Sequence, residues 1–107
     1  MRSTPAPEGL TFEVTSTAEE ITVRLAGKFD LASAMVFQHD IVPLLSRGQP
    51  RAVIDLSGLT FLDSTGLFNL VKAWQELQDR GIALRLVRGS EVVNRMLKLS
   101  GLETEFE

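Results

Sequence analysis

RAVIDLSGLTFLDSTGLFNLVKAW, residues 51–74, changes its hydrophobic period half-way along, and that change sets the fold. Ala52-Val53-Ile54-Asp55-Leu56 is a short apolar run with β-branched residues, the pattern of a strand buried on both faces. Further on, Leu67, Leu70, Val71, Trp74 and Leu77 recur at the spacing of one side of an α-helix. Ser57 to Gly66 reads as the turn at the carboxyl end of a parallel strand, the place where open α/β sheets carry their function. Ser64 falls where the helix N-cap belongs, its hydroxyl able to accept from the first-turn N–H groups. Two roles are open to it. One is capping alone. The other is a phosphorylation switch, because a phosphate adds about −1.5 to −2 charges and three acceptor oxygens. A helix N-terminus, with its positive dipole end and free N–H groups, receives that charge without unfolding. The charge would lie beside Asp63 and oppose an acidic partner surface, so binding changes while the fold persists.

Working outward, Leu10 to Thr15 and Ile21 to Ala26 alternate in apolar character, as two half-exposed strands joined by a hairpin loop at 16–20. Gly27 is expected to end the second. Asp30 is the natural N-cap of a helix whose Leu31, Met35, Gln38, Ile41, Val42 and Leu45 share a buried side. Pro43 crowds the carbonyl four residues earlier and predicts a kink or break near Val42. Beyond the central helix, Arg80-Gly81 marks its end and Ile82 to Val87 reads as another inner strand. Ser90 caps a third helix, with Glu91 suiting its dipole, and Gly101 stops it. Leu102 to Glu107 reads as a short edge strand. Residues 1–9, with two prolines and no periodicity, read as a flexible lead before one domain at 10–107. The expected class is α/β, with about four to five mixed strands and three or more helices packed on the sheet.

Composition excludes several kinds of function. A chain of 107 residues is one domain, large enough to bury a core without staples. No apolar run is long enough to span a bilayer, so no membrane insertion is expected, and the first nine residues lack the apolar core of a secretory signal. Without cysteine there is no disulfide framework or thiolate, which is compatible with a reducing cytoplasm. The net charge of −3 comes from interspersed signs with no basic stripe, which argues against nucleic acid as partner. His39 stands alone in a helix, and Ser64 lacks a base and orienting carboxylate in triad order. Asp55 and Asp63 supply too few oxygens for a hard cation, and no Gly-Lys-Ser/Thr follows Gly58 or Gly66. No catalytic residue, metal site or cofactor is expected. The chain reads as a kinase's substrate, not a catalyst.

The run Leu56-Ser57-Gly58-Leu59-Thr60-Phe61-Leu62-Asp63-Ser64-Thr65-Gly66-Leu67 resembles the signature of STAS domains, specifically of bacterial anti-sigma factor antagonists. Leu25-Ala26-Gly27-Lys28-Phe29-Asp30 resembles the family's early L-x-G-E-L-D segment, and Arg80-Gly81 before Ile82 to Val87 resembles its third block. Ser90 to Leu97 with Leu99-Ser100-Gly101-Leu102 is similar to its last. The likeness covers roughly residues 11 to 106, in the family's order, and implies a small STAS-like domain. In that family the serine after the aspartate is phosphorylated by the anti-sigma factor, itself a serine kinase, and a PP2C-like phosphatase resets it. Ser64 holds that position. The resemblance thus implies a cytoplasmic phosphoprotein that regulates sigma-factor-dependent transcription by partner switching: it binds the kinase unphosphorylated and leaves when phosphorylated. Two alternatives stand beside it. One is a STAS subunit or domain regulating a membrane transport complex by protein–protein contact. The other is a small ligand-binding or phosphotransfer domain built on Asp30, Asp55 and Asp63. Many relatives continue into one more helix, which this sequence does not reach.

The expected partner-binding residues are Asp30, Asp63, Ser64, Thr65, Gly66 and Phe68. The resemblance adds to Asp30's capping role a place near the serine, where the aspartate helps the kinase act. Thr65 falls one place past the acceptor and reads as a first-turn helix residue. Gly66 admits close approach of another backbone at the helix start. Phe68 stands where the family commonly has glycine. One turn beyond Ser64 and off the buried stripe, its ring is expected to pack against residues 58–62, with an exposed partner anchor as the alternative. Lys28 replaces the family's usual glutamate, a charge reversal near the binding face that bears on which partner is recognised.

Overall fold

The computed structural model describes residues 9–100, apart from the Ser100 side chain. β1 (Leu10–Ser16) and β2 (Glu20–Phe29) form an antiparallel hairpin, paired from Leu10 and Gly27 to Ser16 and Ile21. β3 (Arg51–Leu62) lies parallel to β2, and β4 (Ala83–Val87) lies parallel to β3, in the order β1-β2-β3-β4. The helices are α1 (residues 31–45), α2 (Ser64–Asp79) and α3 (Glu91–Ser100). Both β–α–β crossovers advance in one direction across the sheet, so right-handed connections put α1 and α2 on the same face. Val93 and Leu97 of α3 join that same core. The expected mixed α/β sheet is present, with four strands and three helices among the described residues.

The core lies between that face and the helices. Ile21, Val23 and Leu25 of β2, Ala52, Ile54 and Leu56 of β3, and Leu84 and Leu86 of β4 all belong to it. Their alternates, among them Thr22, Arg24, Asp55 and Arg85, lie on the other face, which carries no helix among the described residues. Ala52 to Leu56 is therefore not sandwiched between two helix layers as its apolar run suggests. Val53 is buried outside the main core, on the helix-free face of a central strand, where the strands on either side shield it.

Both long strands overrun their expected ends. Gly27 adopts φ 92° and bends β2 without stopping it. The β2–β3 ladder continues to Phe29 and Leu62 across two register shifts. At the first, Leu56 and Ser57 oppose the single Leu25; at the second, Thr60 is the extra residue. Its hydroxyl donates to the Gly27 carbonyl at 3.1 Å. Ser57 to Leu62, expected as a turn, is strand.

The largest departure is in α1. It consists of a 3₁₀ turn (Leu31–Ser33), an α turn (Ala34–Val36), a π turn (Phe37–Ile41) and a last α turn (Val42–Leu45). Pro43 neither breaks nor ends it. The Val42 N–H reaches the Phe37 carbonyl five residues back, and Pro43, which has no N–H to offer, enters the next turn. The buried side is the expected one at Ile41, Val42 and Leu45 but not in the first turns. Ser33, Phe37, Ile41 and Leu45 face inward, Phe37 lying 4.7 Å from Phe29 ring to ring. A row spaced by four drifts about 40° per step in a regular α-helix. The wider π turn takes back part of that drift and keeps the row on the sheet. Leu31 and Met35, expected inside, are instead 73% and 64% exposed.

The remaining ends behave as read. Past Arg80, the Gly81 N–H donates to Gln78 and the Ile82 N–H to Leu77, both at 2.9 Å. The Ser90 hydroxyl accepts the Val93 N–H at 3.3 Å. The Gly101 stop, the edge strand at 102–107 and residues 1–8 of the lead lie outside the described residues. Gly9 accepts the Lys28 N–H at 3.3 Å.

Candidate functional site

Because β3 runs to Leu62, one residue, Asp63, separates it from α2. Its backbone is still extended. Its carboxylate accepts the Gly66 N–H at 2.9 Å, its carbonyl accepts the Leu67 N–H at 2.9 Å, and its N–H donates to the Phe29 carbonyl at 3.3 Å. The N-cap is thus Asp63 and not Ser64, which corrects the expectation. The cap must be the last extended residue before the helix, and strand length decided which one that was. Ser64 becomes the first helical residue. Its side chain is exposed, and among the described residues no group hydrogen-bonds its hydroxyl.

The turn is fixed from beneath. Gly66 is buried, and a Cβ there would sit 2.5 Å from the Phe29 carbonyl oxygen and 2.7 Å from Leu62 Cδ1, which is the expected close approach. Thr65 is half-buried in the first turn. Phe68 is 63% exposed, so residues 58–62 leave most of its ring uncovered. Those residues belong to the sheet and do not fold over the helix start.

Asp30 caps α1 in a reciprocal box. Its Oδ1 accepts the Ser33 N–H at 3.2 Å, and the Ser33 hydroxyl accepts the Asp30 N–H at 2.9 Å. The contacts of the Phe29 carbonyl with Asp63 and Gly66 set the starts of α1 and α2 side by side. Lys28 is placed differently. It pairs with Phe61 across the ladder, while the adjacent pair, Phe29 and Leu62, is buried toward the helices. Lys28 and Phe61 therefore share the helix-free side.

Two residues of the site escaped the sequence reading as a pair. Asn69, 7% exposed, donates from Nδ2 to the Thr65 carbonyl at 2.8 Å, and its Oδ1 accepts from Gln38 Nε2 at 2.6 Å. This bond ties the π turn of α1 to the first turns of α2. An asparagine on the inner side of an amphipathic helix was the available signal, since buried amides are almost always bonded. Other candidates are not gathered. Asp55 lies on the helix-free face, 3.9 Å from Arg24. His39 is exposed on α1. Among the described residues no three His, Cys, Asp or Glu side chains are grouped to hold a metal ion, and no helix is long and apolar enough to cross a membrane.

The family model described as "Mlab, STAS domain" matches residues 12–106, and the chain belongs to the STAS domain family. Among its relatives, the anti-sigma-B factor antagonist of Bacillus subtilis (strain 168) is 31% identical over 91 residues, 85% of this chain and 83% of that protein. The crystal structure of an anti-sigma factor antagonist from Mycobacterium paratuberculosis matches with a TM-score of 0.82 at 28% identity, over 94% of this chain and 86% of that one. The anti-sigma factor antagonist SpoIIAA in its unphosphorylated form has a TM-score of 0.77 at 21% identity, over 91% of this chain and 86% of that one, a likeness of fold alone. Anti-sigma factor antagonists are non-enzymatic regulators.

Proposed function

We propose that this chain is an anti-sigma factor antagonist that works by partner switching in the cytoplasm. Unphosphorylated, it binds a serine-kinase anti-sigma factor through the surface around Ser64, and a sigma factor is freed for transcription. The kinase then phosphorylates Ser64 and the complex separates. A PP2C-like phosphatase resets the protein. The observation that carries this reading is the exposed, unbonded Ser64 hydroxyl at the first position of α2, released from capping by Asp63. Asp30, Asp63, Thr65 and Phe68 complete the contact, with Asp30 beside the acceptor turn, while Gly66, buried beneath it, acts by holding the turn's shape.

A phosphate at that position meets the positive end of α2, so the domain keeps its fold. Inside a closed interface the same charge is desolvated without a partner, at a cost of about 3–5 kcal/mol. That corresponds to a loss of affinity on the order of a hundredfold or more. The test mixes the protein with its cognate kinase, ATP and magnesium, and maps phosphate by mass spectrometry. One phosphate on Ser64 is expected, with kinase binding kept by Ser64→Ala and lost by Ser64→Asp. Phosphate elsewhere, or unchanged kinase binding by Ser64→Asp, overturns the reading.

A further inference from the structure

Seven large hydrophobic side chains are exposed among the described residues, and three of them lie on the two helices that start side by side. Leu31 and Met35 are 73% and 64% exposed on α1, and Phe68 is 63% exposed on α2. Leu31 and Met35 are one turn apart on α1, and Phe68 is one turn beyond Ser64 on α2. The helices are held together at two levels. At their starts the Phe29 carbonyl accepts from Asp63 and lies against Gly66; further along, Gln38 donates to Asn69. The Ser64 hydroxyl and three exposed apolar side chains are thus carried by the first turns of two adjoining helices. Leu31 and Met35 point outward because Ser33 and Phe37, two residues on from each, hold the inward places.

We propose that Leu31, Met35 and Phe68 form an apolar collar that anchors the anti-sigma factor kinase around Ser64 and determines which kinase is accepted. This deepens the switching function and rests on it. The occupant must be a protein with a complementary apolar patch, because methionine, leucine and phenylalanine offer no polar recognition, and relatives of this chain are named for antagonising an anti-sigma factor. Anchors of this kind dominate association when a surrounding ring of contacts excludes water. The collar also gives the phosphate its force. Once the kinase covers it, water no longer solvates Ser64, and a charge added there has no compensating cation. Leucine and methionine in turn keep the surface adaptable, since methionine fits irregular neighbours.

The experiment measures binding of the full chain to the serine-kinase anti-sigma factor from the same genome, without ATP, as salt is raised, and then the kinetics of Ser64 phosphorylation. Phe68→Ala and Met35→Ala are expected to weaken binding about tenfold or more each. They should raise KM for the chain as substrate while leaving kcat unchanged, because the collar binds ground and transition states alike. Phe61→Ala, an equally apolar change on the helix-free side, is the control and should bind as wild type. The affinity of the wild type should hardly fall between low and high salt, as apolar contacts are not screened. If Phe68→Ala and Met35→Ala bind as wild type while Ser64 is still phosphorylated, the collar is refuted and switching stands. Wild-type protein that neither binds nor takes phosphate refutes both. All of these side chains are exposed, so unchanged circular dichroism spectra are expected to certify the fold, and Phe68→Gln repeats the test with a polar residue of similar reach.

Discussion

α1 and α2 begin next to each other, each behind an aspartate cap, and then behave differently. α2 is regular for sixteen residues, and its cap is one-sided: Asp63 takes the Gly66 N–H and leaves Ser64 unengaged. α1 changes helical type three times in fifteen residues, and its cap is closed, Asp30 and Ser33 satisfying each other. The regular helix presents the hydroxyl and the irregular one the apolar ledge beside it. Regularity suits a residue that a kinase must find in one orientation. Irregularity keeps the inward row of a helix that also has to fill a core on the sheet. The contrast teaches that cap geometry governs Ser64, whereas the inward packing of Ser33 and Phe37 governs Leu31 and Met35.

The strongest way to break this pairing is at the point where the two helices meet. Gly66→Ala places a Cβ 2.5 Å from the Phe29 carbonyl, a backbone atom that cannot swing aside. Overpacking costs roughly 1–3 kcal/mol, and the better helix propensity of alanine returns at most about 1. A net loss of about 2 kcal/mol is expected, read as a fall in Tm of roughly 8–16 °C. A melting temperature equal to wild type would mean that the start of α1 does not lean on α2.

What was legible beforehand follows from this. The order of elements, the Asp30 cap and the Ser64 motif are written locally, in short runs of residue type. The identity of the second cap was not. Asp63 holds it because β3 pairs with β2 as far as Leu62, through bulges at Ser57 and Thr60 that depend on a strand distant in sequence. The same holds for Leu31 and Met35. Their spacing fits an ordinary amphipathic helix, and only the packing of Ser33 and Phe37 on the inner side sends them outward. Local signals located the functional turn. Long-range pairing decided which side chains it displays.

A milder intervention removes the polar tie and keeps the close contact. Asn69→Leu leaves the Gln38 amide without its partner at 2.6 Å, and because Gln38 is half-buried, some water reaches it. The expected loss is about 1 kcal/mol, at the low end for an unsatisfied buried group. Adding Gln38→Leu should then cost less than Gln38→Leu alone in the wild type, the sign of a shared interaction in a double-mutant cycle by urea unfolding. Simple additivity would show that the tie does not couple the helices.

The smallest expected effect asks what holds the π turn in place. Pro43→Ala restores an N–H and removes the ring that crowds the carbonyl four residues back. A regained hydrogen bond contributes about 0.5–1.5 kcal/mol, while a freer unfolded chain takes back about 0.4–1. If proline alone imposed the wide turn, α1 would relax to a regular helix, gain stability, and rotate Gln38 away from Asn69. The buried row Ser33, Phe37, Ile41 and Leu45 argues otherwise, since straightening the helix would drag these side chains off the sheet. Stability should therefore change by less than about 0.5 kcal/mol, within the near-cancellation of those two terms. The Gln38 side-chain amide resonances should stay where they are in the wild type. A clear gain in stability with those resonances displaced would assign the turn to proline, and would make the outward setting of Met35 a consequence of one residue and not of the core.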